Sequence, residues 1–156
     1  MKHFTFIFLK PEALKMELTE KIISRFLLNN FTIELIGYKI VDEELICKHY
    51  VNVIIELGEI FKTRVIKAFV GNAVIPIILS SENENIIPEV RKIIGATDPS
   101  RSEKGTIRGD LAQDSLERAC EEDRCCENLI HSSDSYNEFI REIKLWFPEE
   151  SIKSFI

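Results

Sequence analysis

The segment Phe4-Thr5-Phe6-Ile7-Phe8-Leu9 constrains this chain more than any other. Apolar side chains at almost every position leave no wet face, so it reads as a central strand covered on both sides. Pro11 ends it, because proline lacks the N–H that a sheet interior needs. Such a strand demands layers above and below, and the sequence supplies them. Leu18, Ile22, Ile23, Phe26 and Leu27 recur at helical spacing with Glu20, Lys21 and Arg25 opposite, and Asn29-Asn30 closes that helix. Phe31 to Val41 reads as a second strand broken by Gly37, and Asp42 to Val70 as a helical stretch in two pieces hinged near Gly58. Val74 to Leu79 is a third strand, which Pro76 assigns to an edge or a bulge. Ile86 to Ile94 is a short helix stopping at Gly95, followed by a long loop to Asp110 and a polar, cysteine-bearing segment to Glu127. Asn128 to Ser132 forms a short last strand. Ser135 and Glu138 then have capping-box spacing for a closing helix through Glu142.

Strands separated by helices predict an α/β or α+β domain, the ferredoxin-like split βαβ being one such pattern. The chain has 156 residues without linker or repeat, which fits a single domain over 1–156. Apolar residues at 45% and charged residues at 29% exclude a disordered chain. The net charge of −6 argues against duplex nucleic acid or a membrane surface as partner, since both require a basic face. A small anionic ligand is not disfavoured, because it feels local charge. The apolar run at Phe4–Leu9 is too short for a signal peptide core, and none is long enough to cross a bilayer, so a cytoplasmic location is expected. Cys47, Cys120, Cys125 and Cys126 are expected to be reduced thiols, the adjacent pair being awkward to bridge.

Three features could carry chemistry. His131 closes the last strand near Ser133, Ser135 and Glu142. A lone histidine more often packs or faces solvent, but a carboxylate held on one ring nitrogen leaves the other free as a nucleophile. The loop from Gly95 to Asp110, with Arg91 upstream, offers Thr97 and Arg108 as phosphate donors; the bland alternative is a solvated loop. Pro88 to Arg108 carries five bases and three acids in an otherwise acidic chain. Lys10, at the end of the first strand, is either a gatekeeper charge or part of the site where His131 emerges.

Four stretches in order, Lys10-Pro11-Glu12-Ala13, Gly105-Thr106-Ile107-Arg108-Gly109-Asp110, Asn128-x-x-His131-x-Ser133-Asp134-Ser135 and Glu142-Ile143-x-Leu145-Trp146-Phe147, resemble the nucleoside diphosphate kinase family. The resemblance runs from Thr5 to about Glu150. It implies an α+β, ferredoxin-like βαββαβ fold with an antiparallel sheet covered by helices. It implies that His131 takes the terminal phosphate of a nucleoside triphosphate (ATP, GTP and others), becomes phosphohistidine, and passes the phosphate to a nucleoside diphosphate such as ADP. By the same resemblance Glu142 orients the ring and Ser133 supports that contact. Arg91, Thr97, Arg108 and Tyr50 serve the phosphates and the histidine's surroundings, Lys10 and Asn128 the sugar hydroxyls and terminal phosphate, and Phe61 stacks on the base. Mg²⁺ travels with the nucleotide, no protein metal cage is implied, and a homo-oligomer (hexamer, tetramer or dimer) is expected.

Three positions depart from the family pattern. Ser132 stands where Gly or Ala is common. Lys104 replaces a proline, which should loosen that loop and weaken subunit contacts. Ala112 to Glu127 is longer than in the commonest members and carries six acids against two bases. Two rival readings follow from that segment: a nucleotide-binding scaffold or regulatory protein whose cleft the insertion blocks, and a zinc module built on Cys120, Cys125, Cys126 and His131.

Overall fold

The computed structural model describes residues 1–156, and its centre is the strand expected at Phe4–Leu9. β1 (His3–Leu9) alternates its side chains between two cores: Ile7 and Leu9 enter one, Phe6 and Phe8 the other. α1 (Pro11–Lys15) follows at once, with Pro11 in the first turn where its missing N–H costs nothing. α2 (Thr19–Leu28) buries Ile22 and Phe26, and Asn30, in left-handed conformation (φ 64°), closes it while the Phe31 N–H donates back to Phe26 O. β2 (Thr32–Ile36) and the two-residue β3 (Lys39–Ile40) flank the Gly37 break.

The helical excursion comes in three pieces rather than two: α3 (Glu43–His49), α4 (Val51–Leu57) and α5 (Glu59–Phe69). The extra break at Tyr50 lies within a continuous apolar pattern, so local periodicity does not announce it. β4 (Ala73–Ser81) and α6 (Ile86–Ile94) follow. The expected long loop contains a 3₁₀ turn (Pro99–Arg101) and the start of α7 (Ile107–Leu111), and the cysteine-bearing segment contains α8 (Leu116–Glu121). β5 (Ile130–Ser132), α9 (Tyr136–Trp146), α10 (Glu149–Ile152) and a 3₁₀ turn (Lys153–Phe155) complete the chain.

The sheet is antiparallel in the order β2-β4-β1-β5, with β3 also on β4. With β2 and β3 taken as one interrupted strand, this is the ferredoxin-like arrangement that the resemblance implied. The edge placement of β4 is corrected: it lies between β1 and β2. Pro76 is tolerated inside the sheet because its carbonyl accepts from the Gly37 N–H, so its N–H-less edge faces the gap between β2 and β3. Nothing in a single sequence reveals that the interruption of one strand will lie beside the proline of another.

Candidate active site

β1 and β5 pair so that Phe8 lies opposite His131, and the two rings stack with centroids 4.9 Å apart. That stacking holds the imidazole at the middle of a three-residue strand, half-buried in the lining of a cleft of about 690 Å³. α9 supplies the second element. Ser135 caps it by accepting from the Glu138 N–H, the serine half of the expected capping box, while the Glu138 carboxylate turns to Arg141, and Phe139, Glu142, Ile143 and Trp146 share its buried face. Glu142 is therefore a carboxylate at 2% exposure amid apolar neighbours, and a buried charge persists only with a partner. Its partner is His131: Nε2 and Glu142 Oε2 are 2.6 Å apart. An ionised carboxylate only accepts, so Nε2 carries the proton and Nδ1 keeps its lone pair.

The cations converge on the same cleft. Arg108 donates through Nε to Asn128 O, through Nη1 to Gly95 O and through Nη2 to Ile130 O. No carboxylate pairs with it. Burial pulls its pKa down to about 10, with repulsion from Arg91 adding to the effect. A largely buried guanidinium with two N–H groups to spare and a second arginine beside it is an unbalanced positive site, and it calls for an anion. Lys10 Nζ donates to Cys126 O (2.8 Å) and Asn128 Oδ1 (3.1 Å), and the Asn128 amide donates to Thr97 O. The positive φ at Gly95 (98°) brings the α6 end so close to the α7 start that a Cβ there would meet Thr106 Oγ1 at 2.7 Å.

Of the residues singled out from the sequence, Lys10, Tyr50, Phe61, Arg91, Thr97, Arg108, Asn128, His131 and Glu142 all line this one cleft. Ser133 does not. Its backbone N–H donates to Phe6 O, while its Oγ is buried without any hydrogen-bond partner, so the expected support of Glu142 by Ser133 is corrected.

Three other residues escaped sequence reading. His49 is buried with its ring 4.4 Å, edge to face, from that of His131, and its Nδ1 accepts from Trp146 Nε1. Burial, followed by the charges of His131 and Arg141, holds its pKa well below the ordinary histidine value, so it is neutral with the proton on Nε2. Arg141 fixes that corner by donating to the carbonyls of Lys48 and His49. Glu12 accepts from the N–H of Leu129, a non-glycine residue at φ 74°. Such a conformation costs about 1–3 kcal/mol and persists only where its surroundings impose it. Here Lys10 N–H bonds Leu129 O and Arg108 bonds the carbonyls on either side. The Asn-x-x-His spacing hinted at this rigid approach to the strand; the buried histidine gave no signal beyond its neighbour Tyr50.

The segment 112–127 forms one wall of the cleft through Leu116, Ala119, Cys120, Arg124, Cys125 and Cys126, and leaves the cleft open. The cysteines do not form a ligand set. All four are free, and burial raises the Cys125 thiol and pushes Cys126 up to about 11, keeping both protonated. The one group of metal-capable side chains close together is His49, His131 and Glu142. The Glu142 carboxylate is already committed to His131, and the Nδ1 lone pair of His49 to Trp146.

Residues 3–152 match the family model for nucleoside diphosphate kinase. A nucleoside diphosphate kinase of Methanocaldococcus jannaschii is 39% identical over 154 residues, covering 97% of this chain and 98% of that protein. Among solved structures, a nucleoside-diphosphate kinase of Borrelia burgdorferi, a transition state mimic with bound vanadate and ADP, superposes with a TM-score of 0.89 at 29% identity, over 96% of this chain and 89% of that one. An NDP kinase of Pyrobaculum aerophilum gives a TM-score of 0.86 at 29% identity, over 97% of this chain and 99% of that one.

Proposed function

The chain belongs to the nucleoside diphosphate kinase family, an enzyme that moves the terminal phosphate between nucleotides, and we propose that His131 carries that phosphate in this chain. The observation that carries the reading is the His131–Glu142 contact beside the uncompensated Arg108. Nδ1 attacks the terminal phosphorus in line, the bond to the diphosphate oxygen breaks, and the imidazole gains positive charge that Glu142 balances. A bound diphosphate then takes the phosphate off Nδ1 by the reverse path. Phosphoryl transfer asks little of a protein beyond position and cations around the equatorial oxygens. Arg91, Arg108 and Lys10 supply the cations, while Thr97, Tyr50 and Asn128 line the route from phosphates to sugar. Phe61, half-buried against Tyr50 with centroids 5.9 Å apart, offers the base a face that discriminates little among bases.

Mg²⁺ would be held by the nucleotide rather than by a protein cage, since a hard cation prefers phosphate oxygens and water to the imidazoles of the one candidate cluster. It would neutralise charge on the phosphates. The protein works as a homo-oligomer in the cytoplasm, supported by the exposed apolar Ile36, Tyr38 and Ile40 along the β2–β3 edge and by four free thiols. A coupled diphosphate-exchange assay tests the reading. Exchange is expected from the wild type, and nucleotide binding without exchange would return the scaffold reading.

A further inference from the structure

Phe61 and Arg64 lie one helical turn apart on α5, and both line the cleft. The Arg64 side chain is only 24% exposed, and its Nε donates to Asp123 Oδ1 at 2.8 Å. Asp123 belongs to the inserted wall and is itself 79% exposed, so the pair spans from α5 to that wall. A guanidinium has five N–H donors; Asp123 accepts from Nε alone and Cys120, a weak sulfur acceptor, is the only other side-chain partner, so no carboxylate or carbonyl takes the terminal nitrogens. The contact restrains the fork before any ligand arrives, which lowers the cost of using it. Arg64 takes no part in the hydrogen bonds that join Lys10, Asn128 and Arg108.

The Tyr50 ring is 6.2 Å from His131 and 5.9 Å from Phe61, which sets the line from histidine to aromatic platform. With its phosphates on His131 and its base on Phe61, a nucleotide would lie along α5, where Arg64 is the next cleft-lining side chain. We propose that Arg64 reads the base edge and makes guanine nucleotides the preferred substrates of this chain. Guanine presents O6 and N7, two acceptors that match the paired donors of an arginine fork. Adenine replaces the first with an amino group, which opposes an N–H donor. Cytosine does the same, and uracil offers one acceptor. Phe61 gives every base a face; Arg64 distinguishes their edges.

The inference rests on the His131 and Phe61 reading above, and the experiment separates the two. Transfer from CTP to GDP and to ADP is measured as kcat/KM for the wild type and for Arg64→Met, which keeps the apolar stem. The wild type should favour GDP roughly tenfold, in the lower part of the range for a bidentate pair because the site is open to water. Arg64→Met should bring GDP down to the ADP value and leave ADP within about twofold, which also shows that the variant is folded. Equal use of the two diphosphates by the wild type would overturn the assignment. Equal loss of both in the variant would also overturn it, making Arg64 a phosphate contact or a strut. Absence of label on His131 from γ-labelled CTP would instead bring down the phosphotransfer reading, and the base preference with it.

Discussion

Glutamine at position 142 isolates what the buried carboxylate does. Glu142→Gln keeps the size of a side chain at 2% exposure and removes its charge. During attack the imidazole moves from neutral to cationic with the carboxylate oxygen 2.6 Å from Nε2. With charge centres about 4 Å apart and an effective dielectric near 20, the full attraction amounts to about 4 kcal/mol. With about half of the charge developed at the transition state, the loss is about 2 kcal/mol, or roughly 30-fold in rate. That figure is a floor. A glutamine amide that turns its NH₂ toward Nε2 places the ring proton on Nδ1, where no lone pair remains to attack. Rapid-quench measurement of phosphoenzyme formation from γ-labelled ATP reads this step alone, apart from product release. Burst rates slowed at least 30-fold, at unchanged melting temperature, support the reasoning. A variant labelled within threefold of the wild-type rate would refute it, because neither charge nor tautomer would then matter.

Two other perturbations follow from the same contacts. Arg108→Met strips hydrogen bonds from the carbonyls of Gly95, Asn128 and Ile130, at about 1 kcal/mol each, so the melting temperature should fall by roughly 10 °C while KM for nucleotide rises at least tenfold. Asp114 is held below the ordinary carboxylate range chiefly by its hydrogen bonds from Arg124, then by the Glu127 N–H. A depressed carboxyl pKa stabilises the fold above the unfolded value and loses that contribution as pH falls toward the folded value. The wild type should therefore exceed Asp114→Asn by about 1–2 kcal/mol near pH 7, with the gap closing below about pH 4 in denaturant titrations.

What the sequence made legible was whatever is set by local pattern. β1, the Asn30 stop, the Gly95 stop and the Ser135 cap each depend on a few neighbouring side chains, and each lies where the pattern put it. What it concealed depended on distant partners. Pro76 sits inside the sheet because a gap in another strand faces it. The helix break at Tyr50 places His49 against Trp146 and His131, contacts that periodicity along 42–70 does not encode. α1 has five residues, too few to show a period. For the site, residue types and order identified the lining well, but not the geometry: Ser133 is in the right stretch but its hydroxyl bonds nothing, while Glu12, Arg141 and Arg64 act through contacts with distant parts of the chain.

The phosphate on His131 is the centre of the account, and one chase experiment meets it directly. The purified chain is incubated with γ-labelled ATP, freed of nucleotide, and then given unlabelled GDP. An acid-labile, alkali-stable label is expected on the protein, leaving as labelled GTP within the dead time of manual mixing, with no label on His131→Ala. Label that forms equally on His131→Ala, or that stays on the wild type after GDP is added, would contradict it.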